Sequence, residues 1–321
     1  MLDYLILALG LAGLVIAGDA LVRGAVGLAE RFGIPPLIIG LTIVALGTSA
    51  PELMVSIQAA FDGVADIAVG NIVGSNIANV LLVLGVPALI AATPCDQTGL
   101  KRSTVFMMGA SLLFAVFALS GQLVFWHGLV FLALLAVFLV GSYLSARKAG
   151  ASGDVSELET IDGVEGVPHS LWLALLFFAI GIVGLPLAAD ATVDSASSIA
   201  RSLGVPEVII GLTIIAIGTS LPELVTTVVA ALKGQADVGV GNVIGSNVFN
   251  ILFILGATAS ITTVPIAEQI LRFDIWVMLA SSALLLPLVL MKMTIGRKIG
   301  LAFLALYAIY LGLLIAKAIG G

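Results

Sequence analysis

Apolar segments long enough to cross a lipid bilayer recur along the whole of this 321-residue chain. Each holds about 20 residues or more, which as a helix spans a hydrocarbon core about 30 Å thick. Only 10% of the residues are charged, whereas 60% are apolar. So few charges could not solvate a soluble domain, in which about 25% of residues are charged. The sequence therefore predicts an all-α integral membrane protein.

Hydropathy and turn residues divide the chain into ten predicted transmembrane helices. One hydrophilic connection, residues 147–169, separates a five-helix repeat in residues 1–146 from a second in residues 170–321. The N-terminal apolar segment lacks a basic region and a cleavage site, which predicts a first span and not a signal peptide. The predicted spans are residues 4–29, 36–60, 66–91, 103–120, 124–145, 170–201, 207–232, 237–261, 273–291 and 298–316.

The basic residues predict an orientation in the membrane. Ten of the 13 Lys and Arg residues lie in or beside loops that follow odd-numbered spans. Such loops are cytoplasmic under the positive-inside rule. We therefore expect a multi-pass protein of the cell (inner) membrane, with both termini outside and the 147–169 linker in the cytoplasm.

A long internal repeat is the most specific feature of the sequence. Residues 33–85 align without a gap to residues 204–256, and about 30 of the 53 pairs are identical. Each copy carries GTSxPE followed by GNxxGSN. Because each half has an odd number of spans, the two copies are predicted to cross the membrane in opposite directions. Inverted repeats with a site at their interface are typical of secondary transporters. A duplicated scaffold alone would not explain why the best-matched residues are polar.

The GTSxPE motif predicts a broken helix in each copy. Pro51 and Pro222 lack an amide proton, so the carbonyls four residues earlier, at Gly47 and Gly218, lose their helical partner. Freed carbonyls at membrane depth are tolerated where they face protein or a hydrated cavity. Neighbouring carbonyls are expected to open as well, at Ala45 and Ala216.

Glu52 and Glu223 lie near the middle of these apolar spans. A charge at the bilayer centre costs about 2.5–3.5 kcal/mol or more, so an intramembrane carboxylate is a functional candidate. Further oxygen donors accompany them, and His and Cys are absent from the set, which argues against zinc or copper. Ca²⁺ takes six to eight oxygen ligands. For any single hydroxyl, a polar helix-packing seam is the alternative. The donors are Thr48, Ser49, Asn71, Ser75 and Asn79 in the first copy and Thr219, Ser220, Asn242, Ser246 and Asn250 in the second.

Other polar residues in the spans allow two interpretations. Asp19 and Asp190 are equivalent in the repeat and could either draw ions inward or cap neighbouring helices. Arg23 lies one helical turn after Asp19, and this spacing favours an ion pair. Cys95 is the only cysteine, which excludes an intrachain disulfide.

At these motifs the chain resembles the Ca²⁺/cation antiporter superfamily, specifically the prokaryotic sodium/calcium exchangers. The resemblance covers essentially the whole chain and implies a site that binds Na⁺ and Ca²⁺ alternately, while the first and sixth spans slide to alternate access. It implies no cofactor beyond the transported ions, and no partner beyond the lipid bilayer: neither nucleic acid nor an obligatory protein. The site residues that it implies are Ala45, Thr48, Ser49, Glu52, Ser75 and Asn79, with Ala216, Thr219, Ser220, Glu223, Ser246 and Asn250.

One departure from the family bears on charge. Some relatives, including potassium-dependent exchangers, have aspartate at the position of Asn250, so the present site carries two negative charges at most. One Ca²⁺ would leave it neutral and three Na⁺ would leave it at plus one, which predicts electrogenic exchange without K⁺.

Several alternatives stay open. Proton-coupled exchangers of the superfamily have GN before the glutamate, which disfavours a Ca²⁺/H⁺ antiporter without excluding it or exchange of another divalent cation. A cation channel or a membrane-embedded cation sensor could use the same ligands. An enzyme is not expected, since the sequence has no HExxH motif and no histidine-paired nucleophile.

Overall fold

The computed structural model of the chain describes residues 2–63, 66–97, 99–151, 167–168, 170–205, 210, 214 and 216–320. In these ranges eight helices are long and apolar enough to cross a membrane, and a bent pair, Leu37–Thr48 with Ala50–Phe61, makes up to nine. The predicted span 207–232 lies partly outside the described residues, as does most of the 147–169 linker. A multi-pass helical membrane protein is thus confirmed, while ten helices in two inverted repeats remains a prediction.

The first part of the chain is mostly helical from Leu2 onward, with π-helical turns at two places. Its elements are α1 (Leu2–Phe32), α2 (Pro36–Ile39), a π-helical turn (Gly40–Val44), α3 (Ala45–Thr48), α4 (Ala50–Phe61), α5 (Asp66–Ala78), a second π-helical turn (Asn79–Val83), α6 (Gly85–Ile90), β1 (Thr93–Pro94), α7 (Leu100–Ala118), β2 (Gln122–Leu123) and α8 (Phe125–Ala151).

The second part follows a similar order in its described residues, with one additional π-helical turn at Ile270–Asp274. Its described elements are α9 (Leu171–Ser202), α10 (Ala216–Gly218), α11 (Leu221–Leu232), α12 (Ala236–Phe249), a π-helical turn (Asn250–Leu255), α13 (Gly256–Ile261), β3 (Val264–Pro265), a further π-helical turn (Ile270–Asp274), α14 (Ile275–Leu290), β4 (Thr294–Ile295) and α15 (Arg297–Gly320).

The two longest helices, α1 and α9, pack against each other in antiparallel directions. The Ser198 hydroxyl near the end of α9 donates to the Asp3 carboxylate at the start of α1, at 3.1 Å. At their crossing, a methyl group on Gly181 would lie 2.6 Å from the Cα of Leu21. Glycine therefore permits the close backbone contact, as is usual between membrane helices.

Burial separates the central helices from those that face lipid. In the most apolar window of Ala236–Ile261, 94% of residues are buried, and the value for Ile67–Ile90 is 78%. The corresponding value for Leu171–Ser202 and for Arg297–Lys317 is 22%. The two GNxxGSN helices thus form the centre of the molecule, where polar side chains can be enclosed.

Two short antiparallel ladders join the halves of the chain at their loops. Thr93 pairs with Ile295 in β1–β4, and Leu123 pairs with Val264 in β2–β3. Each ladder takes one strand from each half. The hydropathy pattern did not predict these strands, since each has two residues.

Candidate cation site

The predicted helix breaks are present in both copies. In the first copy, α3 and α4 are separated at Ser49, and the helix bends by 44°. In the second copy α10 ends at Gly218 and α11 begins at Leu221. Ser49 and Ser220 adopt nearly the same conformation, with φ −82° and ψ 11° against φ −88° and ψ 5°.

The breaks place each glutamate in the first turn of a new helix. Glu52 lies in the first turn of α4 and Glu223 in that of α11, each directly after a proline. The positive end of the helix dipole stabilises an anion at this position. Both side chains are fully buried, at 0% exposure.

The expectation of an opened carbonyl at Ala45 is wrong. The Ser49 amide donates to the Ala45 carbonyl at 3.0 Å, so the α-helical bond at that residue persists across the break. In the second copy the Ser220 amide donates to the Ile217 carbonyl at 3.1 Å and not to that of Ala216. The two breaks therefore differ in the backbone bond that precedes them.

Hydroxyl groups from both copies surround the carboxylates. Oε1 of Glu223 accepts hydrogen bonds from Ser49 at 3.1 Å and from Ser246 at 3.3 Å. Oε1 of Glu52 accepts one from Ser75 at 3.3 Å. The Ser49–Glu223 bond joins the break of the first copy to the carboxylate of the second, so the structure brings the two predicted half-sites together.

One oxygen of each carboxylate has no partner. Oε2 of Glu52 and Oε2 of Glu223 are buried, and no described residue donates to either of them. The hydroxyls of Thr219 and Ser220 are likewise without a partner among the described residues. Because an unpaired charged oxygen is costly to bury, this pattern points to a cation as the missing partner.

Thr48, a further donor of the first copy, lies where the first-copy helix packs closely against α12. A methyl group on Gly241 would lie 3.2 Å from the Cα of Gly40, so α12 touches the π-helical turn before the break. On this side Thr48 donates to Oδ1 of Asn242 at 3.0 Å and lies 3.5 Å from the Ser246 hydroxyl.

Four asparagines form a symmetric cluster between the central helices. Nδ2 of Asn79 donates to Oδ1 of Asn247 at 3.0 Å, and Nδ2 of Asn250 donates to Oδ1 of Asn76 at 3.0 Å. Oδ1 of Asn79 and Oδ1 of Asn250 remain buried without a donor in the described part of the chain. Each bond fixes the amide nitrogen and leaves the oxygen of the same side chain without a hydrogen bond among the described residues.

Sequence reasoning missed Asn76 and Asn247 as supports of the site. It followed residues four apart, and Asn76 lies beside that stripe, one position after Ser75. Both asparagines end the GNxxGSN motif, so their recurrence in the two copies was an available signal. Asn71 was included in the stripe, but its Nδ2 has no partner among the described residues.

Two of the π-helical turns, Asn79–Val83 and Asn250–Leu255, begin at equivalent residues of the two copies. Such turns are uncommon and recur at functional sites. The extra residue per turn changes the direction in which the following side chains point. The two amide oxygens thus lie where the helices depart from regular geometry.

A cleft of about 560 Å³ leads towards the helix breaks. Pro51 lines it on one side, and Gly218 and Thr219 line it on the other. The cleft also passes the exposed carboxylate of Asp190. Asp19, its equivalent in the first copy, forms an ion pair with Arg23 at 2.7 Å, which confirms that predicted pair.

The candidate ligand atoms of the site are all oxygens. Carboxylate, amide and hydroxyl oxygens are the ligands of hard cations such as Ca²⁺ and Na⁺. The described residues contain no cluster of three or more His, Cys, Asp or Glu side chains that could hold a metal. Binding here would therefore depend on two carboxylates with neutral oxygens around them.

Comparison with known proteins points in the same direction. The sequence profile of the family described as sodium/calcium exchanger protein matches residues 2–144 and 173–316. The chain is 38% identical over 288 residues to the putative antiporter CaxA of Alkalimonas amylolytica, covering 90% of this chain and 89% of that protein. It is 33% identical over 346 residues to the sodium/calcium exchanger MaX1 of Methanosarcina acetivorans, covering 96% and 97%.

The fold is also similar to solved structures. A structure of the sodium-calcium exchanger NCX_Mj soaked with Na⁺ and Ca²⁺ superposes with a TM-score of 0.82 at 30% sequence identity. The match covers 97% of this chain and 98% of that one.

Proposed function

This chain belongs to the sodium/calcium exchanger protein family, and from that premise we propose that it exchanges Na⁺ for Ca²⁺ across the cytoplasmic membrane by alternating access. The observation that carries the proposal is the pair of fully buried glutamates, each with an unpartnered carboxylate oxygen beside a helix break. The transported ions would supply the positive charge that the described residues do not.

The ion loads follow from the charge of the site. Two ionised carboxylates, Glu52 and Glu223, carry two negative charges, and Asn79 and Asn250 add none. One Ca²⁺ neutralises the site, whereas three Na⁺ leave it at plus one. Exchange of these loads moves one net charge per cycle, so the proposed transport is electrogenic. No acidic residue at position 250 remains to bind K⁺ as a further ion.

Coupling arises from the cost of an empty site. When the binding site is sealed from water, two unneutralised carboxylates lose their hydration and gain nothing in return. The loaded site avoids this cost, so the protein changes state with ions bound. Na⁺ and Ca²⁺ compete for the same oxygens, and each crossing therefore carries one load or the other.

Uptake of Ca²⁺ into Na⁺-loaded proteoliposomes tests the site. Glu52→Gln and Glu223→Gln should each abolish Na⁺-dependent uptake, because each removes half of the charge that holds Ca²⁺. Glu268→Gln is the matched control, since that side chain is 72% exposed and pairs with Arg272 at the surface. Unchanged uptake in both site variants would disprove the assignment.

The same vesicles separate the alternatives. Each cycle that brings in one Ca²⁺ and releases three Na⁺ moves one positive charge out of the vesicle. An inside-positive potential should therefore accelerate Ca²⁺ entry if the exchange is electrogenic, and replacement of K⁺ by choline should leave entry unaltered if it is independent of K⁺. Uptake driven by a pH gradient without Na⁺ would favour Ca²⁺/H⁺ antiport. Uptake without any internal counter-ion would indicate a channel, and Ca²⁺ binding without flux would indicate a sensor.

A further inference from the structure

Of three related positions of the repeat, two carry opposite charges in the two copies and one is aspartate in both. Asp190 and Asp194 lie 171 residues after Asp19 and Arg23, which is the offset that aligns residues 33–85 with residues 204–256. By the same offset Asp62 is the equivalent of Lys233. The set Asp19, Arg23 and Lys233 thus contains one acid and two bases. The equivalent set, Asp190, Asp194 and Asp62, contains three acids.

The mixed-charge constellation is assembled and closed. Asp19 bonds through one oxygen to Lys233 at 2.6 Å and through the other to Arg23 at 2.7 Å. The Lys233 bond connects α1 to the C-terminal end of α11, the helix whose first turn carries Glu223. We call Asp19, Arg23 and Lys233 the ionic lock.

Apolar packing lies beside the ionic lock. A methyl group on Gly18 would lie 2.8 Å from Cγ1 of Val225, so α1 and α11 are in direct contact beside the lock. Val22, in the same helical turns of α1, is fully buried. The two helices are therefore packed together at these residues.

The equivalent face of the molecule is open. Asp62, Asp190 and Asp194, which we call the acidic triplet, are all exposed and all line the 560 Å³ cleft. Met54, the equivalent of Val225, is 71% exposed and lines the same cleft. The three carboxylates do not lie close enough together to hold one metal ion.

We propose that these three positions decide which face of the molecule is open when the site is empty. The ionic lock holds the α1–α11 face shut, and the acidic triplet opposes closure of the α4–α9 face. The inference rests on the proposed exchange only in assuming that both faces can open.

The physical reason is the sign of the charges brought together. To close the cleft in the way that the α1–α11 face is closed, α4 and α9 must approach and the three carboxylates must converge. Like charges repel more strongly as they lose water, whereas the opposite charges of the ionic lock attract. The same change of state opens the α1–α11 face and therefore also requires the Asp19–Lys233 bond to break. Both contributions favour the same state.

A cysteine at position 54 reports on the cleft. With Cys95 replaced by alanine, Met54→Cys is labelled by a maleimide in detergent without Na⁺ or Ca²⁺, where both faces meet solvent. Asp62→Lys with Asp194→Arg rebuilds an ionic lock around Asp190. Labelling of Met54→Cys should then slow by about fivefold or more, the effect of one or two favourable ion pairs on the open population. Glu268→Lys, away from the cleft, is the control for added positive charge and should leave the rate unaltered.

A second variant tests the other face and guards against misfolding of the first. Lys233→Gln breaks the ionic lock, so a Val225→Cys reporter should become labelled faster and Met54→Cys slower. Unchanged labelling at both reporters, in variants that retain the wild-type thermal unfolding midpoint, would overturn the inference. Because no transport is measured, failure here leaves the proposed exchange standing, and loss of exchange leaves this inference standing.

Discussion

Ser49 and Ser220 occupy equivalent positions at the two helix breaks, but they are used differently in this state. Ser49 donates to Glu223 at 3.1 Å, whereas the Ser220 hydroxyl is buried and finds no partner in the described part of the chain. A hydrogen bond to a carboxylate contributes about 1.5–3 kcal/mol. The pair therefore offers a comparison in which residue type and position in the repeat are the same.

We expect Ser49→Ala to weaken Ca²⁺ transport more than Ser220→Ala does. Loss of one hydrogen bond to a charged oxygen should raise the apparent KM for Ca²⁺ by roughly tenfold. The measurement is the Ca²⁺ dependence of uptake into Na⁺-loaded proteoliposomes. Equal effects of the two substitutions would show that the asymmetry does not govern ion affinity.

The asparagine cluster predicts a difference in stability. Asn76→Ala removes the acceptor of the Asn250 amide and leaves that buried donor unpaired, at a cost of about 1–3 kcal/mol. Asn71→Ala is the control, because the Asn71 amide nitrogen has no partner among the described residues. Thermal unfolding, monitored by size-exclusion chromatography, should show a lower midpoint for Asn76→Ala than for Asn71→Ala. The reverse order would contradict the assigned hydrogen bonds.

Cys95 should react slowly with alkylating reagents in the folded protein. The side chain lies in the connection between α6 and α7, and burial raises the pKa of its thiol to about 11. At pH 8 about one thiol in a thousand is then ionised, and the thiolate is the reactive form. Maleimide labelling should be slow at pH 8, rise with pH towards 11, and become fast after denaturation. Rapid labelling of the native protein at pH 8 would contradict this.

At the residue scale, the repeat was sufficient to identify the glutamates and the hydroxyls that bond them. Their polar character in apolar spans has few explanations other than a site. Asn76 and Asn247 were missed because their role depends on a contact between the copies, which no spacing within one copy reveals. The Ala45 carbonyl was predicted wrongly, because a proline removes only its own amide donor, and the Ser49 amide that bonds Ala45 lies two residues before Pro51.

Among the helices, the interruption at Pro51 has the greatest consequence for the site. It starts α4 at a point where the first-turn carboxylate of Glu52 faces the helix dipole. Pro287 also lies within a helix, α14, but away from the site. The two prolines therefore allow the local cost of a proline to be separated from its role in transport.

Pro51→Ala should stabilise the protein and impair its transport. An alanine returns an amide that can bond the Gly47 carbonyl, so α3 and α4 can join into one helix, at a gain of up to about 3 kcal/mol. The unfolding midpoint should rise while Na⁺-dependent Ca²⁺ uptake falls. Pro287→Ala should leave uptake near the wild-type rate. Retained uptake in Pro51→Ala would mean that the break is dispensable.

At the element scale, the sequence predicted the helices better than the details within them. Length and hydropathy decide where a span lies, and GTSxPE decides where it breaks. A π-helical turn has the same composition as an α-helical one, so the turns that begin at Asn79 and Asn250 gave no separate signal. The two-residue strands are defined by their partners in the other half and are invisible to local patterns.

The whole molecule is held together by contacts between the two halves. The ladders join them at the loops, the Ser49–Glu223 bond joins them at the site, and the asparagine cluster joins them between the central helices. The linker of residues 147–169 is therefore not the only connection between the described parts of the two halves. A cut in the linker should leave the halves associated.

A disulfide across a ladder tests this arrangement. With Cys95 replaced by alanine, Thr93→Cys and Ile295→Cys stand opposite each other in β1–β4. Opposite residues of an antiparallel ladder have Cα atoms about 4.5–5.5 Å apart, which suits a disulfide. After oxidation and proteolysis in the linker, the halves should migrate as one band without reductant and as two with it. Thr93→Cys with Gly296→Cys, which is out of register, should give two bands in both conditions.

The opposite charges at positions 62 and 233 carry a consequence for how such a protein can be encoded. Suppose that the two halves were separate copies of one half-length polypeptide, inserted in opposite orientations. Both faces would then have to carry the same residue at this position. An aspartate on one face would mean an aspartate on the other, so the two faces could not differ in charge at this position. Encoding the halves in tandem releases them from that identity, so a single substitution can make inside and outside unequal.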